Sequence, residues 1–419
     1  MKILFSTFGS LGDLHPYLAL ALEARKRGHQ PIVATSPKYR AKVEALQIEF
    51  RAVRPDLPAT DDYAPLAQRV MNQKDGPRYL FQELLAPAIG EQTADLLEAC
   101  ADADVIITHP AAMGGPLAAR KLKKPWLSSV LAPISLWSEL DPATPPTAPH
   151  LDFLRTLGPV WPRFYYGMGK LGTKSWIAPV EQLRAEMGLD GDHPMFEGQF
   201  SPFGTLALFS PLWARPQADW PTKTTATGFC FYDAEGYNGE SDDAWQSWMS
   251  AGDAPIVFTL GSSAVYDAGA FWQRSVEYAT RLNARAVLLT GEPTGIAWPD
   301  NVTEIGYAPH SQIFPRASLI VHQGGAGTTA QALRAGVPQL VMPYAHDQPD
   351  NARRVRKLGV GTSIGRTLYE RGSRGDFALE LIAEARDECA EQARALGRQI
   401  RAEDGPRVAC EVIEMLGHL

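Results

Sequence analysis

Short apolar runs alternate with helical patterns along the chain, beginning at its second residue. In the first helical pattern, Leu18, Ala21 and Leu22 recur at intervals of three and four, and Gly28 ends it. The apolar runs have the length of strands rather than of membrane spans. Strands separated by helices are typical of parallel sheets that are covered on both faces. The predicted strands are 2–6, 31–35, 104–108, 126–130, 205–209, 255–260, 286–289 and 317–321.

A glycine-rich turn follows the predicted strand 317–321 and leads into a helix that ends at Gly336. Glycine has no Cβ and tolerates positive φ, so the backbone there can approach a ligand closely. The first N–H groups of the helix are unpaired and lie at the positive end of its dipole, which favours phosphate. His322 precedes the turn and is expected to donate a hydrogen bond beside the anion. The residues predicted to surround the anion are Gly324, Gly325, Ala326, Gly327, Thr328 and Thr329.

This turn matches neither common nucleotide signature. No lysine follows the glycines as in a P-loop, and the spacing differs from the dinucleotide pattern. A second strand–turn–helix stands at the start of the chain, where the turn carries Asp13 and His15 instead of phosphate-binding groups. Two such sites, one near each end, predict two similar α/β domains that face each other across a cleft.

Composition narrows the class of protein. A chain of 419 residues can form two domains with substantial cores, and a net charge of −7 argues against nonspecific binding to nucleic acid. The four cysteines are widely spaced, have no metal-ligand pattern and are expected to be reduced thiols. We predict neither a signal peptide nor a membrane-spanning segment, and therefore a cytoplasmic protein, although peripheral contact with a membrane is compatible with the sequence.

The two turns and their order resemble the inverting UDP-glycosyltransferase superfamily, which has the GT-B fold. The similarity is greatest to bacterial members with Gly-x-x-Gly-Asp-x-x-Pro near the N-terminus, here residues 9–16. That subgroup includes sterol glucosyltransferases, antibiotic glycosyltransferases and the rhamnosyltransferases of rhamnolipid synthesis. The resemblance covers nearly the whole chain, is strongest in 1–35, 255–263 and 303–360, and is weakest in 55–95 and 134–205.

The resemblance implies two Rossmann-like domains with parallel sheets facing an interdomain cleft. The N-terminal domain would bind the acceptor, the C-terminal domain would bind the nucleotide sugar, and the last helix would cross back to the N-terminal domain. The predicted boundaries are 1–215 for the first domain, 216–245 for a linker, 246–403 for the second domain and 404–419 for the final helix.

The resemblance also implies which residues bind the donor. A base-binding loop at 303–310 would place Tyr307 against the flat pyrimidine, where plant relatives usually have tryptophan. Asp347 and Gln348 follow a strand in the position of the pair that holds the sugar hydroxyls, and a carboxylate and an amide together accept and donate hydrogen bonds. The other donor-binding residues assigned on this basis are Gly12, Ser262, Ala308 and His310.

Catalysis by displacement requires a base on the acceptor side. Asp13 occupies the place where many relatives have histidine, but a carboxylate at a helix start is a weak base, and Asp13 could instead be the N-cap of that helix. His109, at the end of a strand, is a second candidate and could pair with Asp13; His15 is a third. Asp102-Ala103-Asp104 looks like a metal-binding pair, yet we expect a structural role for it and neither a metal nor a cofactor.

The acceptor pocket is predicted from the aromatic and proline-rich stretch 133–176. The alternative for this stretch is a pair of aromatic helices that closes the domain core. The residues assigned to the acceptor are Phe8, Trp137, Tyr344 and His346.

We therefore expect transfer of a hexose, with UDP-glucose as the favoured donor, to a phenol, sterol, polyketide or lipid. A dTDP-rhamnose-dependent enzyme acting on a hydroxy-fatty-acid lipid is the first alternative, suggested by the stretch 345–352. A non-catalytic accessory protein and a nucleotide-sugar epimerase are further alternatives. The protein is expected to be a monomer or a homodimer.

Overall fold

The computed structural model describes residues 1–58, 60–232, 243–371 and 377–417. It divides into two compact units. The first consists of Met1–Tyr232 together with Glu403–Leu419, and the second of Asp233–Ala402. Each unit is built on one parallel sheet, which confirms the predicted α/β class.

The first unit contains a seven-stranded parallel sheet in the order β3-β2-β1-β4-β5-β6-β7. The strand β1 lies between β2 and β4, and every neighbouring pair is parallel. The strands are β1 Lys2–Ser6, β2 Gln30–Thr35, β3 Glu49–Ala52, β4 Val105–Thr108, β5 Trp126–Val130, β6 Thr205–Ala207 and β7 Thr224–Ala226. The helices of this part of the chain are α1 Leu11–Lys26, α2 Arg40–Glu44, α3 Thr60–Val70, α4 Gly76–Arg78, α5 Ile89–Ala99, α6 Gly114–Lys121, α7 Val160–Thr173 and α8 Ala178–Glu186, with a π-helix at Tyr79–Leu85 and 3-10 helices at Pro37–Tyr39, Pro133–Leu136, Pro149–Leu157 and Glu197–Gln199.

The second unit contains a six-stranded parallel sheet in the order β10-β9-β8-β11-β12-β13. Its strands are β8 Ile256–Thr259, β9 Ala286–Leu289, β10 Val302–Ile305, β11 Leu319–His322, β12 Gln339–Val341 and β13 Gly361–Ser363. The remaining helices are α9 Asp243–Ser250, α10 Gly261–Ala264, α11 Phe271–Arg281, α12 His310–Ile313, α13 Ala326–Ala335, α14 Gln348–Lys357, α15 Arg366–Glu370, α16 Phe377–Glu388, α17 Ala390–Arg401 and α18 Gly405–Leu416, with 3-10 helices at Val265–Asp267 and Phe314–Arg316.

Alternating side chains of the strands enter separate cores on the two faces of the first sheet. Ile3 and Phe5 belong to a cluster that also includes side chains of α1 and α18. Leu4 and Ile106 belong to a second cluster with side chains of α5 and α6. Because both faces are covered, the strands read as continuous apolar runs in the sequence.

The helix α1 begins earlier than the pattern of apolar residues predicts. Ser10 is its N-cap, and the Ser10 and Asp13 side chains each accept a hydrogen bond at the helix start, so they form a capping box. Asp13 is therefore the third residue of the helix rather than its N-cap. Pro16 lies inside the helix.

The first unit extends beyond the predicted boundary at residue 215. Its sheet gains β7, a threonine-containing strand that lies in the predicted linker 216–245 and pairs with β6. Residues 233–242 of that linker lie outside the described residues. At the other end, Glu403 accepts a hydrogen bond from the Ser210 hydroxyl over 2.6 Å and belongs to the first unit.

The helix α18 packs against α1 and the residues that follow it. The Arg27 guanidinium donates two hydrogen bonds to the Glu414 carboxylate, Nε over 2.8 Å and Nη2 over 2.6 Å, and His29 Nε2 lies 2.8 Å from the same carboxylate. Hydrogen bonds from Arg27 and then from His29 lower the pKa of Glu414 to about 2. Among the described residues, no helix is both long and apolar enough to cross a bilayer.

We expect Glu414→Gln to lower the free energy of unfolding by about 1 kcal/mol at neutral pH. The loss is small because the ion pair is partly exposed to solvent, which screens it. The contribution of a carboxylate with a lowered pKa is present above its ordinary value of 4.5 and disappears as the pH falls toward 2. Urea unfolding of both proteins should therefore give curves that converge in acid. Glu411→Gln, whose partner Arg407 lies on the same helix, is the matched control, and an equal loss in that variant would contradict the assignment.

Candidate active site

In the first unit, adjacent strands bring Asp13 and His109 together. The strands β1 and β4 pair in register, with Ser6 opposite Thr108, so the turns that follow them lie at the same edge of the sheet. The His109 N–H donates to the Ser6 carbonyl over 3.1 Å. The distance from His109 Nε2 to Asp13 Oδ1 is 3.7 Å. The carboxylate and the imidazole therefore face each other, in the pairing that the sequence suggested as one possibility.

The Asp13 carboxylate is held by the turn that precedes it. Its Oδ2 accepts hydrogen bonds from the Ser10 backbone N–H over 2.7 Å and from the Ser10 hydroxyl over 3.0 Å. A Cβ on Gly9 would lie 2.2 Å from the same oxygen, and Gly9 has a φ of +137°. The turn therefore requires glycine at this position, and it leaves Oδ1 on the side of His109.

The contacts of His109 define its tautomer. The Ala111 N–H donates to Nδ1 over 3.3 Å, so Nδ1 is unprotonated and Nε2 carries the hydrogen that faces Asp13. Burial lowers the pKa of His109, and the Asp13 charge opposes that shift. A neutral His109 of this form can support the carboxylate but has no lone pair toward it. This favours Asp13 as the base of the pair.

The other candidates in this turn lie differently. The ring of His15 packs on Tyr232, with centroids 5.1 Å apart. Gly12 is exposed, and its N–H donates to the Ser10 hydroxyl over 3.2 Å. Phe8 is 3% exposed and belongs to the hydrophobic core, so it supports the turn from within. The roles assigned to these three residues stay predictions.

In the second unit, the adjacent strands β8 and β11 end side by side, with Thr259 opposite His322. The His322 ring is completely buried, and both of its nitrogens are used within the protein. Nδ1 accepts from the Gly324 N–H over 3.0 Å, and Nε2 lies 2.9 Å from the Gln339 Oε1. Burial lowers the pKa of His322 to about 4, so the ring is neutral.

These contacts change the role expected for His322. A ring that donates to Gln339 has no N–H left to offer an anion. His322 instead fixes the backbone of the glycine-rich turn, and in this arrangement its ring has no free N–H for the direct hydrogen bond to an anion that the sequence predicts. It is a positioning residue.

The turn itself has the predicted form. Gly325 is the N-cap of α13, Ala326 begins the helix, and Gly327 is exposed, so the first N–H groups of the helix are accessible. Gly324 has a φ of +88°, and a Cβ there would lie 2.6 Å from Val341 Cγ1. Thr328 is 7% exposed and Thr329 is fully buried, so a hydroxyl contact to a ligand is sterically easier for Thr328.

Gln323 occupies the space between the two glycine turns. A Cβ on Gly261 would lie 2.3 Å from Gln323 Nε2, and one on Gly325 would lie 2.9 Å from it. Gly261 has a φ of +64° and begins the short helix α10, in which Ser262 is the second residue. The Gln323 Oε1 is buried and has no hydrogen-bond partner in the described structure. The absence of side chains at both glycines thus allows an amide to lie between the strand ends.

The start of α14 is tied to the glycine-rich turn by Asn351. The Asn351 amide donates to the Gly324 carbonyl over 2.8 Å and to Asp347 Oδ2 over 2.7 Å. Gln348 Oε1 accepts from the backbone N–H groups of Tyr344 (2.8 Å) and Ala345 (3.2 Å). Asp347 is the N-cap residue of α14, but its side chain makes no capping hydrogen bond. Asp347 is therefore held beside the turn through Asn351, and Gln348 is held by the backbone of residues 344 and 345.

The predicted base-binding loop lies at the end of β10. Tyr307 is 37% exposed, whereas Ala308 is 2% exposed and contributes only backbone to any ligand. The His310 ring stacks on Phe314, with centroids 4.3 Å apart and an interplanar angle of 13°. Tyr307 is thus accessible for stacking on a base, a role that stays a prediction.

The aromatic stretch 133–176 forms helices, as its alternative interpretation proposes. Trp137 stacks on Phe196 with centroids 4.2 Å apart, and its indole N–H donates to the Met195 carbonyl over 3.0 Å. The helix α7 buries only Pro162 and Tyr166, so it does not close a core. Trp137 therefore anchors this stretch through aromatic packing, and its contact with an acceptor stays a prediction.

Two further acceptor assignments fall in the second unit. Tyr344 is 2% exposed, and the Arg366 guanidinium lies 4.3 Å from the centroid of its ring. Burial raises the pKa of the Tyr344 hydroxyl. His346 is partly exposed and has a φ of +56°. Neither residue therefore presents an exposed apolar surface of the kind expected for an acceptor pocket.

Both aspartates before β4 have hydrogen-bond partners, and Asp102 is also ion-paired. Asp102 accepts from Lys2 Nζ over 2.7 Å and from Arg51 Nη1 over 2.6 Å, and Asp104 accepts from the Lys2 N–H over 2.7 Å. Hydrogen bonds from Arg51 and then Lys2 lower the pKa of Asp102. Within the described ranges, no three His, Cys, Asp or Glu side chains are grouped as a metal site would require.

Four residues that shape these turns have no role predicted from the sequence: Ser10, Gln323, Gln339 and Asn351. Ser10 and Asp13 have the three-residue spacing of a capping box, and Asp347 and Asn351 have the four-residue spacing of neighbours on a helix, so both pairs could have been found. Gln323 lies in the glycine-rich turn, but no local pattern gives it a role. Gln339 lies on another strand, and no local pattern indicates that it would meet His322.

Comparison with known proteins identifies the family. Residues 278–415 match the family described as erythromycin biosynthesis protein CIII-like, C-terminal domain. The chain is 30% identical to the O-mycaminosyltylonolide 6-deoxyallosyltransferase of Streptomyces fradiae, and the alignment covers 99% of this chain and 97% of that protein. The chain belongs to the UDP-glycosyltransferase superfamily. It is a glycosyltransferase.

Other glycosyltransferases are similar to this chain in sequence or in fold. A sterol 3-beta-glucosyltransferase of Leptosphaeria maculans is 28% identical over 99% of this chain, which spans only 28% of that longer protein. The solved structures of a kitacinnamycin glycosyltransferase (TM-score 0.71, 19% identity, 99% of this chain and 98% of that chain covered) and of spinosyn rhamnosyltransferase SpnG complexed with thymidine diphosphate (TM-score 0.68, 19% identity, 99% and 100% covered) share the fold. These similarities confirm the GT-B fold.

We expect His322→Ala to lower the free energy of unfolding at pH 7 by about 2–4 kcal/mol, because it leaves a cavity and removes the partner of two buried groups. The wild type loses stability as the pH falls from 6.5 toward 4, since the unfolded chain protonates a histidine that the folded protein keeps neutral. The difference between the two proteins should therefore shrink in acid. Denaturant unfolding with the exposed His150→Ala as control measures this, and a constant difference would contradict a buried neutral ring.

Proposed function

We propose that the protein transfers a hexosyl group from a nucleoside diphosphate sugar to a hydroxyl group of a hydrophobic small molecule, with inversion at the anomeric carbon and without a metal ion. The observation that carries this proposal is the pair Asp13 and His109, placed where two strands end in the first unit. The accessible first turn of α13 and the adjoining Asp347 support a diphosphate and a sugar in the second unit.

In the proposed reaction the acceptor oxygen forms a bond to the anomeric carbon as the bond from that carbon to the diphosphate breaks. The proton of the acceptor hydroxyl passes to Asp13 Oδ1, and His109 stabilises the carboxylate orientation through its Nε2–H. The leaving diphosphate gains negative charge, which the N–H groups at the start of α13 stabilise. His322, Gln339 and Asn351 hold those N–H groups in place before the reaction.

The donor sugar would meet Asp347 and Gln348. The Asp347 carboxylate accepts hydrogen bonds from sugar hydroxyls, whereas the Gln348 oxygen is occupied by two backbone N–H groups, so its amide nitrogen is the group that could donate to the sugar. UDP-glucose is the donor expected from the sequence. A dTDP-6-deoxyhexose is the second candidate, favoured by the relative that transfers 6-deoxyallose and aligns over nearly the full length.

The acceptor classes follow from the same relatives. A macrolide-like polyketide and a sterol are the hydrophobic acceptors that their names indicate.

The four cysteines are all free thiols, which supports a reducing compartment such as the cytoplasm as the site of the reaction.

Transfer should be measured with UDP-glucose, dTDP-glucose and dTDP-rhamnose against polyketide, sterol, phenol and hydroxy-acid acceptors, with products identified by mass spectrometry. We expect a glycosylated product that has the opposite anomeric configuration to the donor and forms at an unchanged rate in EDTA. A product of retained configuration would contradict the displacement mechanism. Loss of the product in EDTA that is restored by a divalent ion would contradict independence from metals.

The variant Asp13→Asn keeps an oxygen for the capping hydrogen bonds of Ser10 but removes the base. We expect kcat to fall by about 10²–10⁴-fold with little change in melting temperature. His109→Gln should cause a smaller loss, because His109 supports the base and does not accept the proton. If His109→Gln abolished activity and Asp13→Asn did not, the roles of the two residues would be reversed.

A further inference from the structure

The guanidinium group of Arg366 joins three side chains at the carboxyl edge of the second sheet. Nη1 donates to the Asp267 carboxylate over 2.5 Å, Nη2 donates to the Asp267 carbonyl over 2.9 Å, and Nε donates to Glu370 over 2.8 Å. The guanidinium also lies 4.3 Å from the centroid of the Tyr344 ring, as a cation–π contact. Gly269 leaves room for the group, since a Cβ there would lie 2.9 Å from Nη2. One planar group thus contacts Asp267 and Tyr344 at the same time.

The two ends of this bridge lie on opposite sides of the strand that leads into the glycine-rich turn. Asp267 ends the helical segment that begins at Gly261, directly after β8. Tyr344 lies three residues after β12. In the sheet, β11 lies between β8 and β12. Arg366 therefore connects the segments on the two sides of the glycine-rich turn, which strand pairing does not do.

Each connected segment contains residues that are predicted to bind the donor. Ser262 lies five residues before Asp267, in an unbroken run of α10 and 3-10 helix. The Tyr344 N–H donates to Gln348 Oε1 over 2.8 Å, so the position of Tyr344 determines where the Gln348 amide lies. A nucleotide sugar would meet both segments, with its diphosphate toward Ser262 and its sugar toward Asp347 and Gln348.

The helix α15, which carries Arg366, is also held by contacts that do not involve this guanidinium. The Tyr278 hydroxyl donates to the Tyr369 carbonyl over 2.6 Å, and Arg274 Nε donates to the Glu370 carbonyl over 3.0 Å. Both contacts join α15 to α11. Removal of the Arg366 guanidinium is therefore expected to loosen the two connected segments while α15 stays packed.

We propose that Arg366 is a positioning residue for the donor: it sets the distance between α10 and the start of α14, so that both hold one nucleotide sugar. Arg366 itself does not need to touch the ligand. This inference rests on the proposed function, because it takes the donor to be a nucleoside diphosphate sugar. A nucleoside diphosphate without its sugar needs only the diphosphate contacts, whereas the complete donor needs both segments at the correct separation.

The first test compares these two kinds of ligand by isothermal titration calorimetry, with UDP against UDP-glucose and dTDP against dTDP-glucose. We expect Arg366→Gln to weaken binding of the nucleotide sugars about tenfold and binding of the diphosphates less than about threefold. Arg366→Lys should fall between Arg366→Gln and the wild type. Its ammonium group can pair with Asp267 but cannot stack as a plane on Tyr344.

Two further variants separate positioning from general loosening. Asp267→Asn removes the other end of the bridge and should change the ratio of the two affinities in the same direction. The double variant of Asp267 and Arg366 should lose little more than Arg366→Gln alone, because both substitutions break one connection. Arg274→Gln removes a different arginine contact of α15 and is the matched control, which should keep the wild-type ratio.

The second test measures sugar transfer, in which Arg366→Gln should raise KM for the donor and leave KM for the acceptor unchanged. Equal weakening of diphosphate and nucleotide sugar, unchanged binding of both, or an altered ratio in Arg274→Gln as well would overturn the inference and leave the proposed reaction intact. Selective loss of nucleotide-sugar binding in a protein that transfers no sugar would count against the proposed reaction alone. Absence of nucleotide-sugar binding by the wild type would overturn both.

Discussion

The arrangement of both candidate sites depends on one constraint of parallel sheets. A chain that forms neighbouring parallel strands must return to the same side after each one, so the carboxyl ends of all strands lie along one edge. In the first unit this places the turns after β1 and β4 side by side, with Asp13 and His109 within 3.7 Å. In the second unit it places the turns after β8 and β11 side by side, with Gln323 between them.

Buried hydrogen bonds hold the turn at the second of these edges. The turn after β11 is held by His322 on one side and by Asn351 on the other, and their hydrogen bonds to Gly324 are both buried. A neutral ring can accept from one backbone N–H and donate to Gln339 at the same time, which a protonated ring cannot do. Preorganised N–H groups of this kind stabilise charge without a cost for reorganising them during the reaction.

Much of the fold could be predicted because the signals are local. The apolar runs of β1, β4, β5 and β9 and the helical spacing in α1 are properties of neighbouring residues, and the structure has these elements at the expected places. The predicted helix began too late because Leu18, the first of the periodic apolar residues, lies well inside α1, although Ser10 and Asp13 have the spacing of a capping box. The strand β7 was not predicted because its three residues, which include threonines, have little of the local pattern of a strand. It is stabilised by pairing with the neighbouring strand β6.

The sequence alone determined the α/β class, the two glycine turns, the candidate acid and imidazole, and the resemblance to glycosyltransferases, since each is a pattern of nearby residues. Only the tertiary structure decided that His322 binds Gln339 and that Asp13 and His109 face each other. These contacts join residues on different strands and helices. Their geometry depends on strand order, helix packing and side-chain burial, which no spacing within one segment specifies.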